Sequence, residues 1–184
     1  PLAHRLGMGE IKGQLEDLSF PYLLPDKYRW VKTILGPRYT VLQKEMDEMK
    51  HAIMKELSDA RIQPVSVHGR RKHLYSLYEK LNRPEYHQDI RNITDLLAMR
   101  IVVRTVADCY TALGLIHKHW RPVPNRLKDY IAQPKPNGYQ SIHTTVFGPS
   151  GRPVEIQIRD VEMHRLAEYG VGGIGQAQVA FMNN

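Results

Sequence analysis

Apolar positions change period along this chain, and the changes mark its elements. From Thr40 to about Arg61 the residues Leu42, Met46, Met49, Ile53 and Leu57 recur at steps of four, three, four and four. That is one stripe of a long amphipathic helix, with Lys44, Glu45, Glu48, Lys55 and Glu56 elsewhere on its surface. The methionines in the stripe read as core filler rather than metal ligands. Ahead of it, Gln14 to Phe20 and Lys27 to Leu35 are expected as short helices, the second introduced by Pro25-Asp26 with Asp26 as N-cap. Gly36-Pro37 is expected to break the chain before the long helix.

Beyond Ile62 the pattern becomes that of a sheet with helices. Val65-Ser66-Val67 alternates after Pro64, as a short strand at a sheet edge does. His68-Gly69 reads as the turn that follows. Arg70-Arg71-Lys72-His73 then opens a helix whose apolar face is Leu74, Leu77, Tyr78 and Leu81. Cations at a helix start oppose the macrodipole, and a glycine turn there aims free N–H groups forward. A phosphate between them would account for both, and a solvated basic patch is the alternative. Leu96 to Val103 is a nearly continuous apolar run, the mark of a strand covered on both faces. Arg100 interrupts it and must pair or reach an edge. Asp95 stands at its start, either placed to hold Mg²⁺ in a cleft or capping the turn after Asn92-Ile93-Thr94.

Thr105 to Asp108 has the capping-box pattern before a helix with Cys109, Ala112, Leu113, Ile116 and Trp120 on one face. Ser141 to Phe147 and Pro153 to Arg159 pair as a hairpin around Gly148-Pro149-Ser150-Gly151. In the second of these strands Val154, Ile156 and Ile158 alternate with Glu155, Gln157 and Arg159, so one face is polar. Asp160 caps a last helix with Met163, Leu166 and Ala167, and the tail from Gly170 shows no clear pattern. The expected fold class is α+β, a mixed β-sheet flanked by helices and preceded by a helical bundle. Residues 1–61 form the helical region and 62–184 the working domain.

One stretch follows neither period. Arg126 to His143 packs cations, two tyrosines, two prolines and a Pro-Asn-Gly turn into a short segment, and Asn137-Gly138 lets its backbone reach positive φ. A stiff loop bearing Lys128, Lys135, Tyr139 and His143 suits a ligand that is both polyanionic and flat, such as a nucleotide. A solvated surface loop is the plainer alternative. The net charge of +7 points the same way, toward nucleotides, nucleic acid or an acidic membrane surface. No window approaches a membrane span, the first residues lack a leader-like pattern, and the single cysteine, Cys109, fits a reducing cytoplasm. His117 and His119 have no partner cluster at zinc-like spacing and are read as structural. With Asp95 and Glu155 as strand-borne carboxylates, the cations and Mg²⁺ make the equipment of a nucleotidyl- or pyrophosphoryl-transferase.

Five blocks in order then carry a resemblance. Gly69-Arg70-Arg71-Lys72-His73, Asp95 to Arg100, Arg126 to Ile131, Pro134 to Thr145 and Glu155-Ile156-Gln157-Ile158-Arg159 resemble the synthetase domain of RelA/SpoT-type (p)ppGpp synthetases, from about Val65 to Val171. The resemblance implies a nucleotidyltransferase-like sheet that transfers pyrophosphate from ATP to the 3′-hydroxyl of GDP or GTP and releases AMP. It implies Mg²⁺ as cofactor, held by Asp95 and Glu155, with Glu155 also activating the 3′-hydroxyl. Tyr139 would stack on guanine, Arg70 and Arg100 would flank adenine, and Lys72, Lys135 and His143 would contact phosphates, with Lys128 and Asn137 also in the substrate loop. The basic Arg126-Leu127-Lys128-Asp129 block is typical of members that also carry a hydrolase domain. Pro1 to Gly7 and Leu15 to Phe20 resemble the end of that hydrolase, without its metal-binding elements, so no hydrolysis is expected from this stretch.

The chain departs from the family pattern in two places: Arg71 stands where proline is frequent, and Gly172-Gly173-Ile174-Gly175 replaces an Ala-Ala-His-Trp helix. The implied partners are ATP and GDP or GTP, with no membrane and no direct nucleic-acid binding. Ribosome contact is left to other regions of a full-length parent. A catalytically inactive nucleotide sensor and a basic RNA-binding module are the competing readings. RNA binding would want more aromatics than Tyr130 and Tyr139 on an open face, and a pure anion binder gains nothing from Asp95 and Glu155.

Overall fold

The computed structural model describes residues 9–90, 93 and 96–169. Its strands are β1 (Ser66–Arg71), β2 (Leu97–Val103), β3 (Lys128–Asp129), β4 (Ile142–Phe147) and β5 (Pro153–Asp160). Its helices are α1 (Gly9–Leu23), α2 (Pro25–Asp59), α3 (Leu74–Leu81), α4 (Val106–His119) and α5 (Val161–Tyr169), with a short 3-10 turn at Pro84–Tyr86. The strands form one mixed sheet in the order β1-β2-β5-β4-β3. β2 and β5 run parallel, and the other neighbours are antiparallel. The expected mixed sheet flanked by helices is what forms.

Strand alternation gives the sheet two unlike faces. Val154, Ile156 and Ile158 of β5 join Met99, Ile101, Val103, Ile142 and Val146 on an apolar face, with buried Thr144 its polar exception. The stripe Met46, Met49, Ile53 and Leu57 of α2 covers this face, together with Cys109, Ala112 and Ile116 of α4 and Trp120 just after it. Thr105 and Asp108 make the reciprocal capping box that starts α4. Glu45, beside the stripe and buried, accepts hydrogen bonds from the backbone and hydroxyl of Ser150 and so ties the β4–β5 turn to α2. A second core lies apart from the sheet. Phe20 of α1, Val31 and Leu35 of α2, and Leu77 and Leu81 of α3 pack there with Ile90 and Ile93. Among the described residues no helix is long and apolar enough to cross a membrane.

Two local expectations are overturned. α2 is one helix through Gly36-Pro37, and Asp26 lies in its first turn, after Leu24 as cap residue. Each half is held by a different core, Val31 and Leu35 by one, Met46 and Met49 by the other. That packing outweighs the local cost of glycine and proline. His68-Gly69 is not a turn either. β1 continues to Arg71 with Gly69 registered opposite Met99, and α3 begins only at Leu74. The glycine is there for close packing: a Cβ would lie 1.9 Å from Met46 Cε. Gly69 therefore belongs to the strand and not to a turn that opens the helix. The tail after Gly170, the hydrolase-like Pro1 to Gly7 and Asp95 lie outside the described residues.

Gly69→Ala should cost less than about 1 kcal/mol of unfolding free energy in a urea titration, because the atom in its way is the free end of the flexible Met46 side chain, which can swing aside. Nucleotide binding should be little changed, the reverse of what a phosphate-cradling turn would show.

Candidate active site

The polar face of the sheet collects the site by register. Arg70, Ala98, Glu155 and Thr145 stand in one row across β1, β2, β5 and β4. His68, Arg100, Gln157, His143 and Lys128 stand in the next. Arg70, Lys72, His73, Ser76, Ala98, Glu155 and Gln157 line an open cleft of about 160 Å³. Sequence-predicted Arg70, Lys72 and Glu155 are thus brought together around one space.

A hydrogen-bonded circuit runs along this face. Gln157 Nε2 donates to Glu155 Oε1 at 2.8 Å, and Arg159 Nη2 donates to Gln157 Oε1 at 3.1 Å and to the Tyr139 hydroxyl at 2.7 Å. That hydroxyl sits 2.8 Å from His143 Nε2. Arg159 can only donate to that hydroxyl, which leaves the tyrosine proton available to Nε2. Nδ1 lies 3.7 Å from Glu155 Oε1, closing the ring of contacts. Burial pushes the His143 pKa down to about 4. Glu155 pulls it up, while Arg159, Lys135 and Lys128 add to the lowering. His143 is therefore neutral near pH 7 and can serve a phosphate as a hydrogen-bond donor, not as a cation.

The loop keeps its aromatic rings beside cations. Lys135 Nζ lies 4.7 Å from the Tyr130 ring centre and 5.0 Å from that of Tyr139, and the Arg159 guanidinium lies 5.1 Å from Tyr139. The turn is tight: Gly138 sits at φ +77°, its N–H donates to the Lys135 carbonyl at 2.8 Å, and Tyr139 N–H donates to Asn137 Oδ1 at 3.2 Å. The visible part played by Asn137 is to shape this turn. Asp129 Oδ1 accepts from the backbone N–H groups of Ile131 and Ala132, both at 2.9 Å, and so fixes the loop's start, while Lys128 stays exposed on β3.

Arg100 finds its partner where the sequence gave no pointer. Its Nη1 donates to Glu168 Oε1 of α5 at 2.7 Å, with Arg159 Nη1 at 3.7 Å and His164 Nδ1 at 3.8 Å from the same oxygen. A buried arginine in an apolar run announces a carboxylate partner without saying which one. Glu168, His73 and Ser76 are the site neighbours that sequence reasoning missed. His117 Nε2 lies 2.7 Å from Thr144 Oγ1 and His119 Nδ1 2.9 Å from Glu56 Oε1, both far in role from the cleft. Among the described residues no three His, Cys, Asp or Glu side chains group as a metal cage. Mg²⁺ does not need one, since it is commonly held by one or two carboxylates with phosphates completing its shell. Glu155, a carboxylate on a cleft with Arg70 and Lys72, fits that kind of site.

A profile described as the region found in RelA / SpoT proteins matches residues 69–174, more than half of the chain. This chain belongs to the RelA / SpoT family. Among the relatives, it is 48% identical over 171 residues to a GTP pyrophosphokinase of Streptomyces coelicolor, covering 93% of this chain and 20% of that protein. It is 44% identical over 171 residues to the bifunctional (p)ppGpp synthase/hydrolase RelA of Mycobacterium tuberculosis, covering 93% and 23%. The chain thus spans about a fifth of the length of these curated relatives. Its structure is similar to that of small alarmone synthetase 1 from Bacillus subtilis bound to its product pppGpp, with a TM-score of 0.60, 26% identity, and coverage of 81% of this chain and 82% of that one.

The buried neutral imidazole has a consequence for stability. His143 has a folded pKa near 4, below its ordinary 6.5, so the unfolded chain binds more protons between these values. Stability should fall as the pH drops from about 6.5 toward 4, by on the order of 3 kcal/mol for this residue alone. Urea unfolding of His143→Gln should show a visibly shallower acid slope than the unaltered protein over that window. Equal slopes would contradict the assignment.

Proposed function

We propose that this chain, through residues 62–184, transfers pyrophosphate from ATP to the 3′-hydroxyl of GDP or GTP, forming (p)ppGpp and AMP. The observation that carries this is the placement of Glu155 between two sets of groups. Arg70 and Lys72 share its cleft on one side. His143, with Tyr139 and Lys135 behind it, stands on the other. The printed names of the relatives and the product in the Bacillus subtilis structure support the same assignment. The nucleotide substrates and a single buried cysteine suit a cytoplasmic setting.

In this reading Arg70 and Lys72 bind ATP, and the Tyr139 ring receives guanine with Lys128, Lys135 and a neutral His143 toward its phosphates. Glu155 takes the proton of the 3′-hydroxyl as that oxygen bonds to the β-phosphorus and the bond to the α-phosphate oxygen breaks, so AMP leaves. The Gln157 amide holds the carboxylate in place, so little reorganisation is needed at the moment of transfer. Mg²⁺, with Asp95 and Glu155 as its carboxylates, would neutralise charge on the transferred phosphates. Arg100 contacts ATP only by sharing or leaving Glu168.

Incubation with ATP, GDP and Mg²⁺ should yield AMP and a tetraphosphorylated guanosine in equal amounts, and absence of both products would reject the activity. Glu155→Gln should still bind both nucleotides but lose about 10²-fold or more in single-turnover rate, the scale of a general base. Unchanged turnover would remove Glu155 from the chemistry.

Tyr139→Ala should weaken GDP about five- to a hundredfold, since a base–aromatic stack is worth about 1–3 kcal/mol, while ATP affinity stays near its starting value. Calorimetry of the two nucleotides checks this, and equal weakening of both would assign the effect to loop shape.

A further inference from the structure

Helix α1 lies outside the residues matched by the family profile, yet it reaches the cleft wall. Gly13, Asp17 and Phe20 fall at i, i+4 and i+7, one face of that helix. Each meets the start of α3. A Cβ on Gly13 would lie 2.3 Å from the His73 ring, so the imidazole rests against bare helix backbone. Asp17 Oδ2 is 2.9 Å from His73 Nδ1, and Asp17 Oδ1 accepts the Tyr75 backbone N–H at 2.9 Å. Phe20 is buried against Tyr75 and Tyr78, with ring centres 5.3 Å away in both cases.

The bond to Tyr75 is a helix cap supplied from a distance. His73 is the cap residue of α3, but its own side chain makes no capping hydrogen bond. Tyr75 N–H is among the first-turn donors that a helix leaves without an internal partner. Asp17, 58 positions earlier, fills that role and with its other oxygen holds His73. Lys72 and His73 line the cleft beside Arg70, Ser76 and Glu155. The side chain that fixes the helix start therefore also fixes the wall of the cleft.

We propose that Asp17 is a positioning residue for the site: by capping α3 and pinning His73 it sets the Arg70–Lys72 wall against ATP. Any movement of α1 along its axis would shift that wall without touching Tyr139 or Lys135. The ATP half rests on the activity proposed above.

The test compares Asp17→Ala with Asp17→Asn, because asparagine retains a capping oxygen while alanine does not. In hydrogen exchange, Asp17→Ala should exchange amides of residues 74–77 about five- to tenfold faster, and Asp17→Asn should stay within about twofold of the unaltered chain. In steady-state synthesis, Asp17→Ala should raise KM for ATP about fivefold or more, leave KM for GDP within about twofold, and be rescued by Asp17→Asn. Should Asp17→Ala not fold, Gly13→Ala replaces it, since it displaces the His73 ring and should raise KM for ATP alone. Unchanged exchange with unchanged KM for ATP would overturn the proposal, as would equal loss for both nucleotides or an asparagine variant as impaired as the alanine one. No synthesis by the unaltered protein would reject the proposed activity instead, and the exchange comparison would then decide the role of Asp17 by itself.

Discussion

Two arginine side chains are buried in the polar face of the sheet, Arg100 at 6% and Arg159 at 3% exposure, and most of the surrounding structure answers to them. A guanidinium cannot give up its proton, and leaving one unpaired after desolvation costs several kcal/mol. Glu168 from α5, Tyr139 from the basic loop and Gln157 from the same strand as Arg159 all converge to prevent that. Helix α5 is thereby seated on the sheet, and the loop is drawn over its edge. Glu155 is held by the same set of contacts through Gln157. The carboxylate's orientation is a by-product of satisfying Arg159.

This arrangement explains why a fold of this kind tolerates wide sequence change, as the 26% identity with the Bacillus subtilis structure shows. The apolar face needs only volume and alternation, which many residues supply. The polar face needs a few donors and acceptors in register across β2, β5 and β4. The register is set by the backbone ladder, so each side chain inherits its place from a position number and not from fine packing. Charge is managed in the same economical way. Three cations near His143 help keep it neutral, so the loop can be strongly basic without placing one more positive charge against Arg159.

Much of this was legible beforehand, for reasons tied to individual residues. The alternation of Val154, Ile156 and Ile158 with Glu155, Gln157 and Arg159 is a local signal, and both faces of β5 followed from it. The stripe from Leu42 to Leu57 announced the helix that covers the sheet. Thr105 with Asp108 announced the start of α4. What failed were places where a distant partner overrides local chemistry. Gly69 beside three cations looks like a phosphate turn until Met46, 23 positions earlier by residue number, is seen to occupy the space of its side chain. Gly36-Pro37 looks like a break until two separate cores are seen to hold both halves of one helix. Glu168 and Asp17 could not be matched to Arg100 and His73, because single-chain spacing carries no information on pairs separated by 68 and 56 residues. The family resemblance was readable because its five blocks are dense in residues that do chemistry, whereas the helices outside them contribute single polar side chains, Asp17 and Glu168, among residues that pack.

The chain's one thiol makes the sheet's helical cover open to inspection. Cys109 sits at 0% exposure between α4 and the sheet, and its pKa is pushed up to about 12, first by burial and then by Asp160 and Asp108. A thiol in that state has almost no thiolate and no path to a reagent, so it is silent to alkylation while the helix stays seated. An alkylating label can reach it only when α4 lifts from the strands. The rate at which such a label enters thus clocks the detachment of one helix, in a protein that needs no engineered cysteine to report it.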